Sequence, residues 1–575
     1  MVLVSTRAAL AAAGLAILSV ASGAQSVFRI SGEGGRQTLS SLQPLWVSSD
    51  GRHVLCRGLD GLFAGDSDGF YDATWYDLWT GVHQPAFTAA GGANPDEDTY
   101  MCGPSVNERY LVISTRASNL LPGDSNGLID VYLLDRQTSV VVRASFTSTG
   151  TEPASDCLGR SVSDDGRLVV FETEDGLVPA DGNFLFDVYV RDLAANTTQL
   201  ISVTPGGTSG DLDSVDGSVS ADGRFVVFSS GATDLVANDT NNCQDVFLRD
   251  LQLGTTVRLS VTAGGVEGDL DSYDASMTPD ARFFAFASQA TNLAPGVNGP
   301  GSIYLLDRTS GKISNVSCSS TGQVSDGICD TPALSADARF VTFMSMATNL
   351  DPLDTDGGQQ DSFLRDLQTG ITRVVTRATN GNQGTPPSHG IHITSLSLPF
   401  PDGTRVVFNA NLSGLVAGDT NDEFDTFLWD SSSTCPAITS YCSGKLNSQG
   451  CVPSITSSGE PRLGPPTDAF YLSATGWIGN QPGIFLWSVQ SASAPFFGGT
   501  LCVGGSVHRT VPQKSGGLPS GCTGTFSYHF TSAYMTSQGL PAGQLVFGQF
   551  WGRDNGIALP NDVGLSDAIQ FTVCP

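Results

Sequence analysis

Oxygen-bearing side chains recur at a fixed spacing along the first three quarters of this 575-residue chain. An Asp is followed two positions later by Asp or Asn, and six or seven positions later by a further Asp. The sets are Asp66, Asp68 and Asp72; Asp124, Asn126 and Asp130; Asp181, Asn183 and Asp187; Asp239, Asn241 and Asp245; Asp354, Asp356 and Asp361; and Asp419, Asn421 and Asp425. Hard oxygen donors at such spacing suit Ca²⁺, which takes about six to eight oxygen ligands. The same residue types also cap turns through their own backbone, and the sequence leaves both readings open. An EF-hand is excluded. Asp135 falls near the slot of that loop's closing ligand, but the strand-like run Asp130 to Asp135 carries it roughly 16 Å away at ~3.3 Å per residue.

Little else in the chain points to chemistry. There is no Gly-x-Ser-x-Gly elbow; Gly504-Gly505-Ser506-Val507-His508 lacks the last glycine. No phosphate-binding glycine loop occurs between a strand and a helix. His389 and His392 form an isolated H-x-x-H pair. Carboxylates are abundant enough for a glycosidase-type acid and base, but no pair is singled out. The expected function is therefore a non-enzymatic binding or scaffold role, with Ca²⁺ or a basic partner at an acidic face. The alternative is a hydrolase or lyase acting on extracellular glycans through pore carboxylates.

Charge narrows the partners. The chain carries 57 acidic against 28 basic residues, a formal net charge of −29, which makes nucleic acid an unsuitable ligand. Five basic and five acidic residues lie beyond Pro436, so the whole excess sits before it. Hydrophobic residues at 40% rule out a disordered chain.

What positions the acidic sets is a repeat. A polar turn, an Arg and a short apolar run recur, as in Asp165-Gly166-Arg167-Leu168-Val169-Val170-Phe171 and Asp222-Gly223-Arg224-Phe225-Val226-Val227-Phe228. The arginines fall at 52, 109, 167, 224, 282, 339 and 405, seven copies at steps of 57 or 58 with one of 66. A second phrase follows each, as Asp187-Val188-Tyr189-Val190-Arg191-Asp192 or Asp245-Val246-Phe247-Leu248-Arg249-Asp250. Each unit offers four strands and no helical period. Four strands repeated seven times predict an all-β fold, a seven-bladed β-propeller over residues 27–430. The seventh unit lacks its fourth strand, and Val27-Phe28-Arg29-Ile30-Ser31 offers the missing phrase at the other end of the chain. A strand over 27–31 closing the last blade would leave the ring no open edge. In this arrangement the acidic loops share one face.

These two phrases resemble the WD40-like PD40 repeats of TolB-type bacterial propellers. The resemblance implies the fold and little about function. The units here are longer than that class usually has, and no α/β domain of the TolB kind precedes them.

The ends supply an address. Arg7, an apolar run from Ala8 to Ala21 and the small residues Ser22-Gly23-Ala24 read as a signal peptide over residues 1–24, hence a secreted, periplasmic or cell-surface protein. No later run is long and apolar enough for a membrane span. Twelve cysteines permit full pairing in an oxidising compartment. Cys442 and Cys451 close a short loop, and the six cysteines beyond residue 430 suffice for three bridges of undetermined connectivity. After a linker at 431–440, residues 441–575 are expected to form a small disulfide-containing β-sandwich. This part resembles a module of secreted proteins from planctomycete-like bacteria.

Overall fold

The structure is a computed structural model. It describes residues 26–574 except for 31–41, 60–61, 64–65, 79–81, 125, 297–300, 378–382, 384–393, 402, 413–414, 416–423, 432–437, 464–469, 520, 541–543 and 560. The leader-like segment and the His389/His392 pair therefore lie outside the described residues, as do Asp419 and Asn421.

Six repeats fold as four-stranded antiparallel sheets whose strands are neighbours in chain order. A seventh four-stranded sheet joins the last repeat to a strand from the other end of the chain, giving seven such sheets among the described residues. The repeated phrases explain the local geometry. In the third sheet Ser163 Oγ donates to Asp165 Oδ1 (2.6 Å), and the same carboxylate accepts from Arg167 N (3.0 Å). Gly166 turns the chain at φ 71°, where a side chain is disfavoured. Arg167 then reaches the Asp that ends the third strand, with Nη2 2.6 Å from Asp192 Oδ2. The same pair recurs as Arg52–Asp77, Arg109–Asp135, Arg224–Asp250, Arg282–Asp307 and Arg339–Asp366. Thus Asp135 is spent on Arg109, far from the loop that Asp124 belongs to. The aromatic residues of the two phrases face each other across strands two and three: Phe171 stacks on Tyr189 at 5.8 Å, Phe228 on Phe247 at 5.7 Å, and Phe343 on Phe363 at 5.8 Å. Neighbouring sheets bury these faces against each other, so the core is a ring of inter-blade clusters.

The seventh sheet is assembled from both ends of the propeller. Strand Ser26–Arg29 lies antiparallel to Asp425–Asp430, with Val27 opposite Trp429 and Arg29 opposite Phe427. Val27 packs with Phe408, Phe427 and Trp429. Ile30, 1% exposed, enters the cluster of Leu42, Val54 and Tyr76 in the first blade. Asn409 Nδ2 and Thr426 Oγ1 both donate to Leu42 O, at 2.6 and 2.7 Å, stitching blade 7 to blade 1.

Beyond residue 438 the architecture changes. A six-stranded sheet and a three-stranded sheet face one another. Between them lies one aromatic core that includes Phe470, Trp477, Phe485, Trp487, Phe526 and Phe550. Two bridges, Cys442–Cys502 and Cys451–Cys522, span this unit. Cys574 is disulfide-bonded as well. The short Cys442–Cys451 loop expected from spacing is therefore not formed: the two residues pair with separate distant partners. Full pairing is also not realised. Cys56, Cys102, Cys157, Cys243, Cys318 and Cys329 are free thiols. All but Cys243 are buried and pack as small apolar side chains, and burial pushes their thiols up. Among the described residues no helix is long and apolar enough to cross a membrane.

Candidate functional site

The loop between the second and third strands of a blade carries the first two acidic positions of each set, and the third opens the third strand. That last Asp is buried by strand pairing. It accepts a hydroxyl from the segment that follows the fourth strand: Ser145 to Asp130 (2.6 Å), Ser202 to Asp187, Ser260 to Asp245 and Thr376 to Asp361. The middle position caps its own turn. Asn126 Oδ1 accepts from Leu128 N, Asn183 Oδ1 from Leu185 N and Asn241 Oδ1 from Cys243 N, each at 3.0 Å. Their amide nitrogens bond carbonyls, as Asn183 Nδ2 does to Gly210 O (2.8 Å). The Asn residues therefore act as turn caps. Asp68 caps in the same way through one oxygen, Oδ1 to Phe70 N at 3.2 Å, and brings a second oxygen that an Asn lacks.

A further residue divides the blades, one that sequence reasoning passed over. It is the last residue of the fourth strand, opposite the residue two places after the buried Asp of strand three. In blade 2 it is Arg143. Its guanidinium contacts Asp130, lies 2.6 Å from Glu152 Oε1 and 3.9 Å from Asp124 Oδ1, and is 6% exposed. In blade 4 it is Arg258, at 3.0 Å from Asp239, 2.9 Å from Asp245 and 2.9 Å from Glu267. In blade 7 it is Arg29, 3.7 Å from Asp425. The buried Asp of each of these three blades already faces a guanidinium.

Blades 1, 3 and 6 have Pro85, Leu200 and Val374 at that position. Blade 5, with Ser302 in place of the buried Asp and Asn315 in place of the Arg, has lost both halves together. Blades 1 and 6 are also the two whose middle residue is Asp. Asp66, Asp68 and Asp72 can bring one carboxylate oxygen each within 4.8 Å of one another, and so can Asp354, Asp356 and Asp361. Oxygens sharing one Ca²⁺ lie no more than roughly 5 Å apart, twice the metal–oxygen distance. In blade 6, Gln383 Nε2 donates to Asp354 Oδ1 (3.1 Å) and Asp361 Oδ2 (3.5 Å). Burial and the neighbouring carboxylates raise both Asp354 and Asp361 above the usual carboxylate range.

Blade 3 stands between the two kinds. Burial, with Asp181 and Asp213 nearby, pushes Asp187 up to about 7, against the opposing bonds from Ser202 and Asn183. Tyr189 Oη donates to Asp181. The folded pKa is raised, so this group's contribution to stability is complete below about pH 4 and is lost as pH rises toward 7. Asp187→Asn imitates the protonated form. It is expected to raise the melting temperature of the chelated protein at pH 8 and leave it unchanged at pH 4, measured by calorimetry at both values.

The acidic loops between blades serve the backbone. Asp98, Asp156, Asp213 and Asp271 each accept from the residue before a buried strand-three Asp, at 2.8–2.9 Å. Asp211, Asp269 and Asp326 cap Thr233, Thr291 and Thr348. On the innermost strands Asp216 and Asp274 occupy bulges at φ 60° and 54°. Burial and the charges of Asp216 and Asp330 push Asp274 up to about 6, while Arg160 pairs with Glu172 (2.7 Å) and Asp216 (3.4 Å).

The class of protein is thus a β-propeller of four-stranded blades, followed by a C-terminal β unit. No family model matches the chain, and no curated protein does. Among solved structures it is similar to TolB from Acinetobacter baumannii, at 14% identity and TM-score 0.30 over 63% of this chain and 76% of that one. It is also similar to the β-propeller domain of the Trilobed protease from Pyrococcus furiosus, at 10% and 0.40 over 68% and 96%. Porphyromonas gingivalis dipeptidyl peptidase 4 matches at 12% and 0.35 over 63% of this chain and 48% of that enzyme. The propeller assignment itself rests on strand order.

Proposed function

We propose that this is an extracellular or periplasmic binding propeller whose acidic loops in blades 1 and 6 hold a divalent cation, Ca²⁺ by donor chemistry. The observation that carries the reading is the exchange between blades. Where the fourth strand ends in Arg, a guanidinium neutralises the acidic set. Where it ends in Pro85 or Val374, that position brings no positive charge, and three carboxylates converge. Leaving three such groups charged in a partly buried loop is costly, and a cation that binds only the folded state offsets the cost. Oxygen-only donors favour Ca²⁺ over softer metals. The disulfides of the C-terminal unit support an oxidising compartment. Each site should add about 2.7 kcal/mol at a hundredfold excess of Ca²⁺ over Kd. The test is thermal melting of chelated protein with added Ca²⁺ against NaCl of matched ionic strength. A clear rise with Ca²⁺ alone supports the proposal; equal effects of the two salts refute it.

A second reading is favoured by Asp274 on the inner strands, whose carboxyl is pushed up to about 6 by burial and by the charges of Asp216 and Asp330. A carboxyl of raised pKa among other carboxylates is the equipment of glycan hydrolysis. Turnover in a polysaccharide screen that disappears in Asp274→Asn would establish this reading over the first.

A further inference from the structure

The outer edges of blades 3 and 6 are covered by the chain itself, in the same way each time. After the fourth strand of blade 2 a hairpin crosses to blade 3. There Thr198 N donates to Ser148 Oγ (2.8 Å), Ser148 Oγ donates to Thr198 O (3.3 Å), and Thr198 Oγ1 donates to Phe146 O. Arg191 Nη1 donates to Thr147 O (3.4 Å) and to Thr198 Oγ1 (3.1 Å). In blade 6, Thr372 N donates to Ser320 Oγ (2.9 Å), which donates to Thr372 O (3.2 Å). Thr372 Oγ1 and Arg365 Nη1 donate to Cys318 O at 2.5 and 2.8 Å. The receiving half is an Arg on strand three and a Thr on strand four. The inserted half is a carbonyl and, two residues on, a serine hydroxyl.

Blade 4 keeps the receiving half and lacks the insert. Arg249 and Thr256 hold the same register as Arg191 and Thr198, and Arg249 Nη1 donates to Thr256 Oγ1 (3.1 Å). The incoming hairpin has Pro205 where the others have Ser148 and Ser320, five residues beyond the end of the fourth strand. Proline at that place has no hydroxyl to bridge Thr256 N–H and C=O, and among the described residues Arg249 donates to Thr256 Oγ1 and to no carbonyl of the hairpin. A groove of about 460 Å³ remains, lined by Val203, Pro205, Leu235, Val236, Arg249 and Thr256. Blade 5 provides the contrast. Its insert position is Ala263, and its receiving positions are Leu306 and Ile313, both apolar.

We propose that the groove at the outer edge of blade 4 binds an extended peptide segment of a partner protein, one carrying a backbone carbonyl and a Ser or Thr hydroxyl two residues after it. The free edge of the fourth strand offers Thr256 N–H and C=O to that hydroxyl, and Arg249 and Thr256 Oγ1 take the carbonyl. Val203, Leu235 and Val236 cover the flanking apolar atoms. This is strand-edge recognition with one polar anchor. The occupant repeats what segments 146–148 and 318–320 already do elsewhere in the same chain. A glycan would supply hydroxyls but not the carbonyl at this spacing.

The probe is a capped, fluorescein-labelled peptide copying residues 145–150, titrated into the full chain by fluorescence anisotropy. Saturable binding is expected. It should weaken about tenfold when the central serine of the peptide is replaced by alanine, since two hydrogen bonds of ordinary strength are lost. Arg249→Leu, which reproduces the Leu306 of blade 5, should weaken it about as much. Pro205→Ser should also weaken it, because the hairpin then supplies the clasp from within. Melting curves of both variants check that the fold is kept. Absence of binding by the wild-type chain, equal binding of the alanine peptide, binding indifferent to Arg249→Leu, or competition by oligosaccharides and not by unlabelled peptide would each overturn the proposal.

Discussion

Deleting Ser26–Ile30 is expected to open the ring and yield a protein that aggregates or melts far below the parent. The two buried side chains lost, Val27 and Ile30, are worth about 3–6 kcal/mol together. The deletion also strips the backbone partners of Asp425–Asp430 and takes Arg29 from Asp425, which is buried at 1% exposure. An unpaired edge beside Trp429 would be a template for pairing with other chains. Ile30→Ala, which keeps the strand, is expected to cost about 2–5 kcal/mol. Size-exclusion chromatography with calorimetry checks both. A monomeric deletion variant with unchanged melting would contradict closure by this strand.

The second large effect is expected at Arg258→Leu. Leu200 fills the equivalent place in blade 3, so the side chain is tolerated by the strand. Three acidic groups, Asp239, Asp245 and Glu267, then lose their shared guanidinium. Removing one side of a buried ion pair costs about 3–5 kcal/mol, because the remaining charge is left uncompensated. If an arginine in one blade does the work of a cation in another, millimolar Ca²⁺ should recover part of that loss in Arg258→Leu. Sodium at the same ionic strength should recover only what screening gives. Chemical denaturation in the two salts separates the outcomes. A variant that Ca²⁺ helps no more than sodium would break the equivalence between guanidinium and metal.

Much of the fold was readable because each repeated residue has a local job that no distant contact overrides. Ser163, Asp165, Gly166 and Arg167 fix a turn and one ion pair to Asp192. The two aromatic residues of each unit meet across adjacent strands. The orphan phrase at Val27 was legible for the same reason, since it matched a strand missing elsewhere. The acidic sets were visible too, but their division between blades was not. It depends on one residue at the end of strand four, where Arg143, Leu200 and Val374 look like ordinary variation until register sets them opposite the buried Asp. Cysteine pairing failed from sequence for a related reason: spacing suggested a loop from Cys442 to Cys451, whereas folding carries each to a different part of the unit. Pro205 likewise carried no signal alone, and gained meaning only beside Ser148 and Ser320 in the folded ring.

The claim that blades 1 and 6 bind a divalent cation while blades 2 and 4 carry their own is tested most directly by counting bound Ca²⁺. Chelated protein is equilibrated by dialysis against a Ca²⁺ series and the bound metal is measured by atomic emission. Saturation near two ions per chain is expected. Asp361→Asn should remove one of them, and Asp130→Asn, in the arginine-filled blade 2, should remove none. No saturable binding, or equal losses in the two variants, would contradict it.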